Sequence, residues 1–441
     1  MDPKYATLIV FVLVYAFLAL SKKYRARALW IGVLVLALLG VYVNGDEANL
    51  VERGVESARR VFLLINWDVM GIFAGVLFVA EFFILSRVPV VISDWLVDRS
   101  RSVSQAMLFI CGLSSFVSIW VENVATVLIV APLALQVSRR LKLSPVPFLI
   151  GIAITSNLQG TATLVGDPPS MILAGEMKLN FNDFFFFRGK PGIFFAVQIG
   201  AVFSFLVLWL FYRKYRQPPV EVEKERVQSW MPTILLAALI AALAVMPALE
   251  RAGLTLSSGL ICCIFGVVTL IWSLVRNPAE AWEVVRNYDY RTVAFLAGVF
   301  ALVGALGLER VGLIEDFKDI ISGLIGQNRV LGLTVIVGFS LLLSAFIDNV
   351  PYIMAMLPVV LRIAEESWGD PGNPLLAFGL LTGACLGGNI TPIGASANVV
   401  AMGLLRREGF LISFWEFIRM GLPFTLAATI PAAVFLWFVW S

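Results

Sequence analysis

Two carboxylate–amide pairs, Glu122-Asn123 and Asp348-Asn349, interrupt runs that are otherwise apolar. In hydrocarbon such a pair can cap a helix, bind a cation or take up a proton, and helix ends meeting there would present free backbone amides and carbonyls. The two pairs are copies of one motif. Ser118-Ile119-Trp120-Val121-Glu122-Asn123-Val124 recurs as Ser344-Ala345-Phe346-Ile347-Asp348-Asn349-Val350, and Ser118, Asn123, Val124 and Pro132 find identical residues 226 positions later. A second motif is duplicated as well. Gly160-Thr161-Ala162-Thr163-Leu164-Val165-Gly166 returns as Gly388-Asn389-Ile390-Thr391-Pro392-Ile393-Gly394, 228 positions on. Glycine at this density lets a backbone leave helical geometry and offer carbonyls to an ion. Sodium sites are therefore expected near Asn123, Gly160, Thr163 and Gly166, and near Asn349, Gly388, Thr391 and Gly394.

Asp167 follows the first glycine segment and precedes Pro168-Pro169, an arrangement that starts a helix: a carboxylate cap, then proline where its missing donor costs little. The matching position in the second copy is Ala395, so the duplicated scaffold does not require a charge there. Asp167 is thus a candidate both as a cap and as an ion ligand. Asn157, Thr161, Asn389, Ser396 and Asn398 are further polar residues in apolar surroundings; Asn157 and Asn398 could bind substrate or hold a broken helix together. Ser118 and Ser344 could line the approach or bond back to a carbonyl. No lysine or arginine falls within the four polar segments. Glu122, Asp167 and Asp348 are then expected to make an electronegative cavity that favours Na⁺ or H⁺, although paired helix N-termini can also hold an anion. The chain has no histidine, so a proton carrier would have to be a carboxylate altered by its surroundings. Gly-Asp-Pro-Pro is not a phosphate loop, and no dinucleotide-binding context surrounds it.

These residues need helices to hold them at depth. The 441-residue chain is 59% hydrophobic and 14% charged, with a mean hydropathy of +0.89. So few charges cannot cover a soluble protein of this size. Continuous apolar runs, without ten-residue alternation, exclude a membrane β-barrel. The fold class is an all-α polytopic membrane protein of the inner or plasma membrane, an inverted-repeat secondary transporter with two re-entrant hairpins and two broken helices. The first run, 5–20, is followed by Lys22, Lys23, Arg25 and Arg27 and lacks a small-residue cleavage site, which makes it a spanning helix. The four cysteines lie in apolar runs without metal-ligand spacing. The charge of +3 is slight and gives no footing for nucleic acid. Neither an enzyme activity nor a cofactor is expected.

Spans are predicted at about 5–20, 28–43, 66–86, 190–212, 230–248, 256–275, 292–308 and 414–440. Residues 146–176 and 374–405 are too long and too rich in glycine for unbroken helices, and should break near 160–169 and 387–396. The stretches 106–137 and 331–361 each contain a carboxylate whose burial at mid-bilayer costs several kcal/mol. Folding each back as a hairpin with a protein- or water-lined tip removes most of that cost. Lys and Arg concentrate in alternate loops in the sense of the positive-inside rule, which opens the first hairpin to the cytoplasm and the second to the exterior. Asn66-Trp67-Asp68 and Asn287-Tyr288-Asp289 form a third echo, read as interfacial anchors and not as a site. Residues 44–62 fit either a surface amphipathic helix or a loop. The Pro218-Pro219 linker with Glu221, Glu223, Lys224, Glu225 and Arg226 reads as a solvated loop between the halves. The resulting domains are 1–27, an N-terminal helix and basic loop; 28–212, the first repeat; 213–255, a linker and connecting helix; and 256–441, the second repeat.

Gly160–Pro169, Ser344–Pro351 and Gly383-Ala384-Cys385-Leu386-Gly387-Gly388-Asn389 resemble segments of the ion transporter superfamily. That superfamily includes arsenite permeases, NhaD-type sodium/proton antiporters, the melanosomal P protein, and citrate and dicarboxylate transporters. The resemblance covers nearly the whole chain and looks closest to the arsenite-permease-like and P-protein branch. It implies an elevator-like transporter, often a homodimer in membrane lipid. Its hairpin-tip asparagines correspond to Asn123 and Asn349, and its broken-helix polar residues to Asn157, Thr161, Thr163, Asn389, Thr391 and Asn398. Dicarboxylate members carry Ser-Asn-Thr at both tips; here Glu122-Asn123-Val124 and Asp348-Asn349-Val350 replace it, which points away from citrate and succinate. The second tip also lacks the Asn-Asp-Gly of arsenite permeases. The expected activity is Na⁺/H⁺ antiport through intramembrane carboxylates, with cation- or proton-coupled transport of arsenite, a carboxylate or another small anion as the alternative.

Overall fold

A backbone in hydrocarbon must satisfy its own N–H and C=O groups, and helices do so within a single segment. The computed structural model describes residues 2–20, 24–43, 50–218, 225–253 and 255–441. Lys22, Lys23, Pro219, Glu221, Glu223 and Lys224, together with 44–49 of the 44–62 segment, lie outside those residues. In the first half the described helices are α1 (Pro3–Leu20), α2 (Arg25–Leu38), α3 (Leu50–Leu64), α4 (Trp67–Leu85), α5 (Val88–Asp98), α6 (Val103–Ser118), α7 (Asn123–Leu141), α8 (Val146–Gly160), α9 (Pro168–Met177) and α10 (Ile193–Tyr212). In the second they are α11 (Met231–Arg251), α12 (Ser258–Arg276), α13 (Pro278–Asn287), α14 (Tyr290–Gly304), α15 (Leu313–Ile325), α16 (Arg329–Ser344), α17 (Asn349–Arg362), α18 (Leu375–Gly387), α19 (Ser396–Arg407) and α20 (Phe414–Trp440). Among the described residues seven helical segments are long and apolar enough to cross a membrane. The protein is an all-α, multi-pass membrane protein. A minimal strand pair, Phe186–Phe187 with Lys190–Pro191, is a small departure from that description.

Both long glycine-rich runs break where expected. The first is α8 and α9 separated by residues 161–167, and the second is α18 and α19 separated by a 3₁₀ turn at Gly388–Ile390 and an extended stretch. Each polar dipeptide lies where two helices meet, Glu122 capping α7 and Asp348 capping α17. The helices of the first hairpin are longer than a shallow fold-back needs: α7 alone has 19 residues and qualifies as a span. The 44–62 segment is helical from Leu50, with Val51, Val55, Phe62 and Leu63 exposed along α3. The described ends of the linker are not free. Val103 N–H donates to the Gln217 carbonyl, and Glu225 N–H donates to Asp94, so both ends dock onto the first half.

Packing repeats between the halves with partners exchanged. Helix α4 packs on α12 and α14 on α2; α6 packs on α8 as α16 does on α18; α7 packs on α19 and α17 on α9. Thr163 donates to the Ile119 carbonyl, and its counterpart Thr391 donates to that of Ala345. Each hydroxyl thereby ties a hairpin tip to the break of the neighbouring helix.

Candidate transport site

Helix starts create the site. The first turns of α7, α9, α17 and α19, through Asn123–Ala125, Pro168–Pro169, Asn349–Val350 and Ser396–Ala397, all line one cavity of about 590 Å³. Its opposite wall comes from the start of α2, from α4 through Phe73, Leu77 and Glu81, and from α14 through Thr292, Phe295 and Leu296. A helix start carries unpaired N–H groups and the positive end of its dipole. Three of the four starts have an acidic cap. Glu122 accepts from Val124 N–H at 2.9 Å and Ala125 N–H at 3.2 Å; Asp167 accepts from Ser170 N–H at 3.2 Å and Ser170 Oγ at 2.9 Å; Asp348 accepts from Val350 N–H at 3.2 Å. The fourth start, α19, follows Ala395 and has no side-chain cap.

All three carboxylates therefore act as caps and still face the cavity. Asp167 is 1% exposed. Asn123 and Cys385 stand beside the carboxylate, yet its Oδ2 has no hydrogen-bond partner within normal geometry, an arrangement that costs free energy unless a proton or cation completes it.

Of the residues singled out in the sequence, Glu122, Asn123, Asn157, Asp167, Asp348, Asn349 and Ser396 line the cavity. Thr161, Thr163, Asn389, Thr391 and Asn398 are buried behind it and hold its frame. Asn157 Nδ2 donates to Asn389 Oδ1 at 2.9 Å and to Asn398 Oδ1 at 3.0 Å, joining the two halves. Asn389 Nδ2 donates to the Ile154 carbonyl, and Asn398 Nδ2 to those of Gly388 and Thr391. Thr161 bonds back to the Asn157 carbonyl. The carbonyl of Gly160 accepts from Ser170 Oγ, as that of Gly388 does from Asn398. Ser118 donates to Asn123 Oδ1 at 2.6 Å, and Ser344 to the Ala384 carbonyl; both serines hold the hairpins and neither lines the cavity. Glycine is required at Gly166 and Gly394, whose added Cβ atoms would meet the backbone carbonyls of Gly160 and Gly388 at 2.3 and 2.5 Å. At Gly160 an added Cβ would stand 2.3 Å from Asn123 Oδ1 and would displace that side chain.

The expected absence of basic partners is corrected by the structure. Arg25, Arg27 and Arg291 line the cavity with five acids: Glu81, Glu122, Asp167, Asp289 and Asp348. Arg25 Nη1 contacts Asp348 Oδ2 at 3.2 Å and Nη2 contacts Thr292 Oγ1 at 3.3 Å, while its guanidinium lies 4.4 Å from the Phe295 ring centroid. These partners stand outside the four polar segments, and Arg25 reaches Asp348 across 323 residues. Asp289, read as an interfacial anchor, is also corrected: it faces the cavity and accepts from Thr292. Its counterpart Asp68 instead accepts from Gly259 N–H at 2.7 Å at the start of α12. The signal for Arg25 was the basic cluster after the first span, which the positive-inside rule fully accounted for. Among the described residues, no group of three or more His, Cys, Asp or Glu side chains is placed to hold a metal ion.

The citrate transporter family model matches residues 15–377 and 307–441. The chain belongs to that family. An uncharacterized transporter of Mycobacterium bovis is 30% identical over 97% of this chain and 96% of its own length. A 46 kDa membrane protein of Mycobacterium leprae is 28% identical, with 97% of each chain covered. The human P protein is 25% identical over 93% of this chain, which spans 57% of that relative. In fold, the chain is similar to the crystallised YdaH transporter of Alcanivorax borkumensis, with a TM-score of 0.61, 17% identity and coverage of 99% and 98%. The P-protein side of the sequence resemblance is thus found, and the family is the citrate-transporter one from which the hairpin motifs pointed away. The transporter is a multi-pass membrane carrier of small solutes, and its family favours the anion alternative over Na⁺/H⁺ antiport.

Proposed function

We propose that this transporter carries a small carboxylate-bearing anion, coupled to a cation or proton, by alternating access at the cavity between the helix starts and the α2–α4–α14 wall. The observation that carries this reading is the convergence of four helix N-termini on a cavity that also receives Arg25, Arg27 and Arg291. Backbone donors at helix starts and guanidinium forks both suit carboxylates. The uncapped start of α19 offers N–H groups that no side chain takes. Asp167, with one buried oxygen lacking a partner, is the candidate for the coupling cation or proton, and Glu122 stands on the same cavity. The threonines and asparagines behind the cavity, with the four glycines, serve to keep the helix starts aligned.

In this reading the two hairpins are re-entrant and inverted, with tips at mid-membrane. Support comes from Thr163 and Thr391, each of which bonds a tip to the middle of a broken helix. The repeats comprise 28–212 and 256–441. Hairpins and broken helices move as one unit against a scaffold that includes α2, α4, α12 and α14, in a homodimer. The mass of the detergent-solubilised protein checks the dimer.

The deciding experiment uses purified protein in liposomes, with citrate, succinate, phosphate, arsenite and Na⁺ offered separately under imposed Na⁺ or pH gradients. Saturable carboxylate uptake driven by either gradient is expected. Sodium-driven proton flux without uptake of any anion would instead establish the antiport reading.

A further inference from the structure

We propose that the Asp348 carboxylate is a built-in stand-in for a substrate carboxylate at Arg25, and that an arriving anion takes Arg25 from it. The inference rests on the carboxylate reading above and names the residue that recognises the substrate.

Asp348 has no need of Arg25 as a helix cap. Glu122, its counterpart, caps α7 with two backbone bonds and forms no ion pair among the described residues. Nor does the duplicated scaffold need an arginine. Gly75 packs against Cys262 and Cys263 where its counterpart Gly298 packs against Leu29 and Trp30. That register sets Arg25 against Ser258, a neutral residue.

The Arg25–Asp348 contact is also a weak form of its kind. It is single and 3.2 Å long, whereas charge-assisted bonds of this type run at about 2.7–2.9 Å and are strongest when bidentate. Arg25 spends its other terminal nitrogen on Thr292 at 3.3 Å. A free carboxylate that presents both oxygens to the fork can therefore make a bidentate bond to Arg25 that Asp348 does not make. Both side chains can be reached: Arg25 is 22% and Asp348 15% exposed, and both line the cavity. Arg25 is kept in place without Asp348 by the Phe295 ring and by Thr292, itself held by Asp289.

The exchange has a mechanical consequence. Arg25 opens α2 in the wall, and Asp348 opens α17 at the second hairpin tip. Substrate capture removes this tie between wall and hairpin, while the Tyr15 hydroxyl of α1 stays on the Pro351 carbonyl at 2.7 Å. Ligands without a carboxylate leave the Arg25 tie closed.

The test is equilibrium binding of radiolabelled citrate and succinate to the purified full-length protein and its Asp348→Asn, Arg25→Gln, Arg25→Lys and double Arg25→Gln/Asp348→Asn variants. Loss of a charge-assisted contact predicts binding weaker by about 10-fold or more in Arg25→Gln. Arg25→Lys, which keeps the charge without the fork, should fall between that variant and wild type, and it carries the test if Arg25→Gln does not fold. Asp348→Asn should bind more tightly than wild type, and the double variant should match Arg25→Gln. If Asp348→Asn and Arg25→Gln weaken binding alike, or neither alters it, the pair is only a structural tie and the inference fails while the carboxylate reading stands. Absence of carboxylate binding in the wild-type protein overturns both.

Discussion

At the residue scale, the polar groups of the core divide by what each side chain touches. Asn157 satisfies two buried acceptors from the opposite half, Asn389 Oδ1 and Asn398 Oδ1. Asn157→Leu strands both oxygens, and an orphaned buried group costs about 1–3 kcal/mol. A loss of roughly 2–4 kcal/mol is expected, to be read as a lower unfolding temperature of the solubilised protein with substrate absent. Gly160 presents a different constraint. A methyl there collides with Asn123 Oδ1, so Gly160→Ala must displace the Asn123 side chain at the first hairpin tip. Transport should fall at least ten-fold while the protein stays folded by gel filtration; uptake at the wild-type rate would show that the tip is free to move aside.

At the element scale, each hairpin is tied to its broken helix by one threonine hydroxyl. Thr163→Val and Thr391→Val remove equivalent bonds, to Ile119 and Ala345, and leave a buried carbonyl short of a donor in each case. If the halves are mechanically equivalent, the two substitutions should slow transport by similar factors, with little change in apparent substrate affinity. A large effect from one and none from the other would show that a single hairpin carries the motion. The breaks themselves follow from composition: proline after Asp167 and glycine on either side of each break make continuous helix costly.

For the whole molecule, the cavity lies between a wall of α2, α4 and α14 and a body that carries the four helix starts. Relative motion of the two is expected during transport. Leu77 on α4 and Leu128 on α7 both line this cavity. Cysteines at these positions, in a chain whose Cys111, Cys262, Cys263 and Cys385 are replaced, should permit a bifunctional thiol reagent to arrest uptake. Either cysteine alone should leave uptake running after the same treatment. Full uptake with the cross-link formed would mean that wall and body move together.

The amino-acid sequence by itself determined what depends on local chemistry. Sustained hydropathy demanded helices, glycine and proline placed the breaks in 146–176 and 374–405, and the echo of Ser118–Val124 in Ser344–Val350 exposed the duplication. Asp167 was readable as a cap because the cap and its helix are neighbours in the chain. Tertiary structure alone decided which polar residues share a cavity and which hold its frame. Thr163, Thr391, Asn389 and Asn398 carry the same chemistry as cavity residues, and only their packing turns them away from it. The charge balance was settled in the same way. Arg25 belongs in sequence to a basic loop, yet folding lays α2 against α14 and brings its guanidinium to Asp348. A long side chain's partner depends on which helices meet, and no pattern local to residues 22–27 records that meeting.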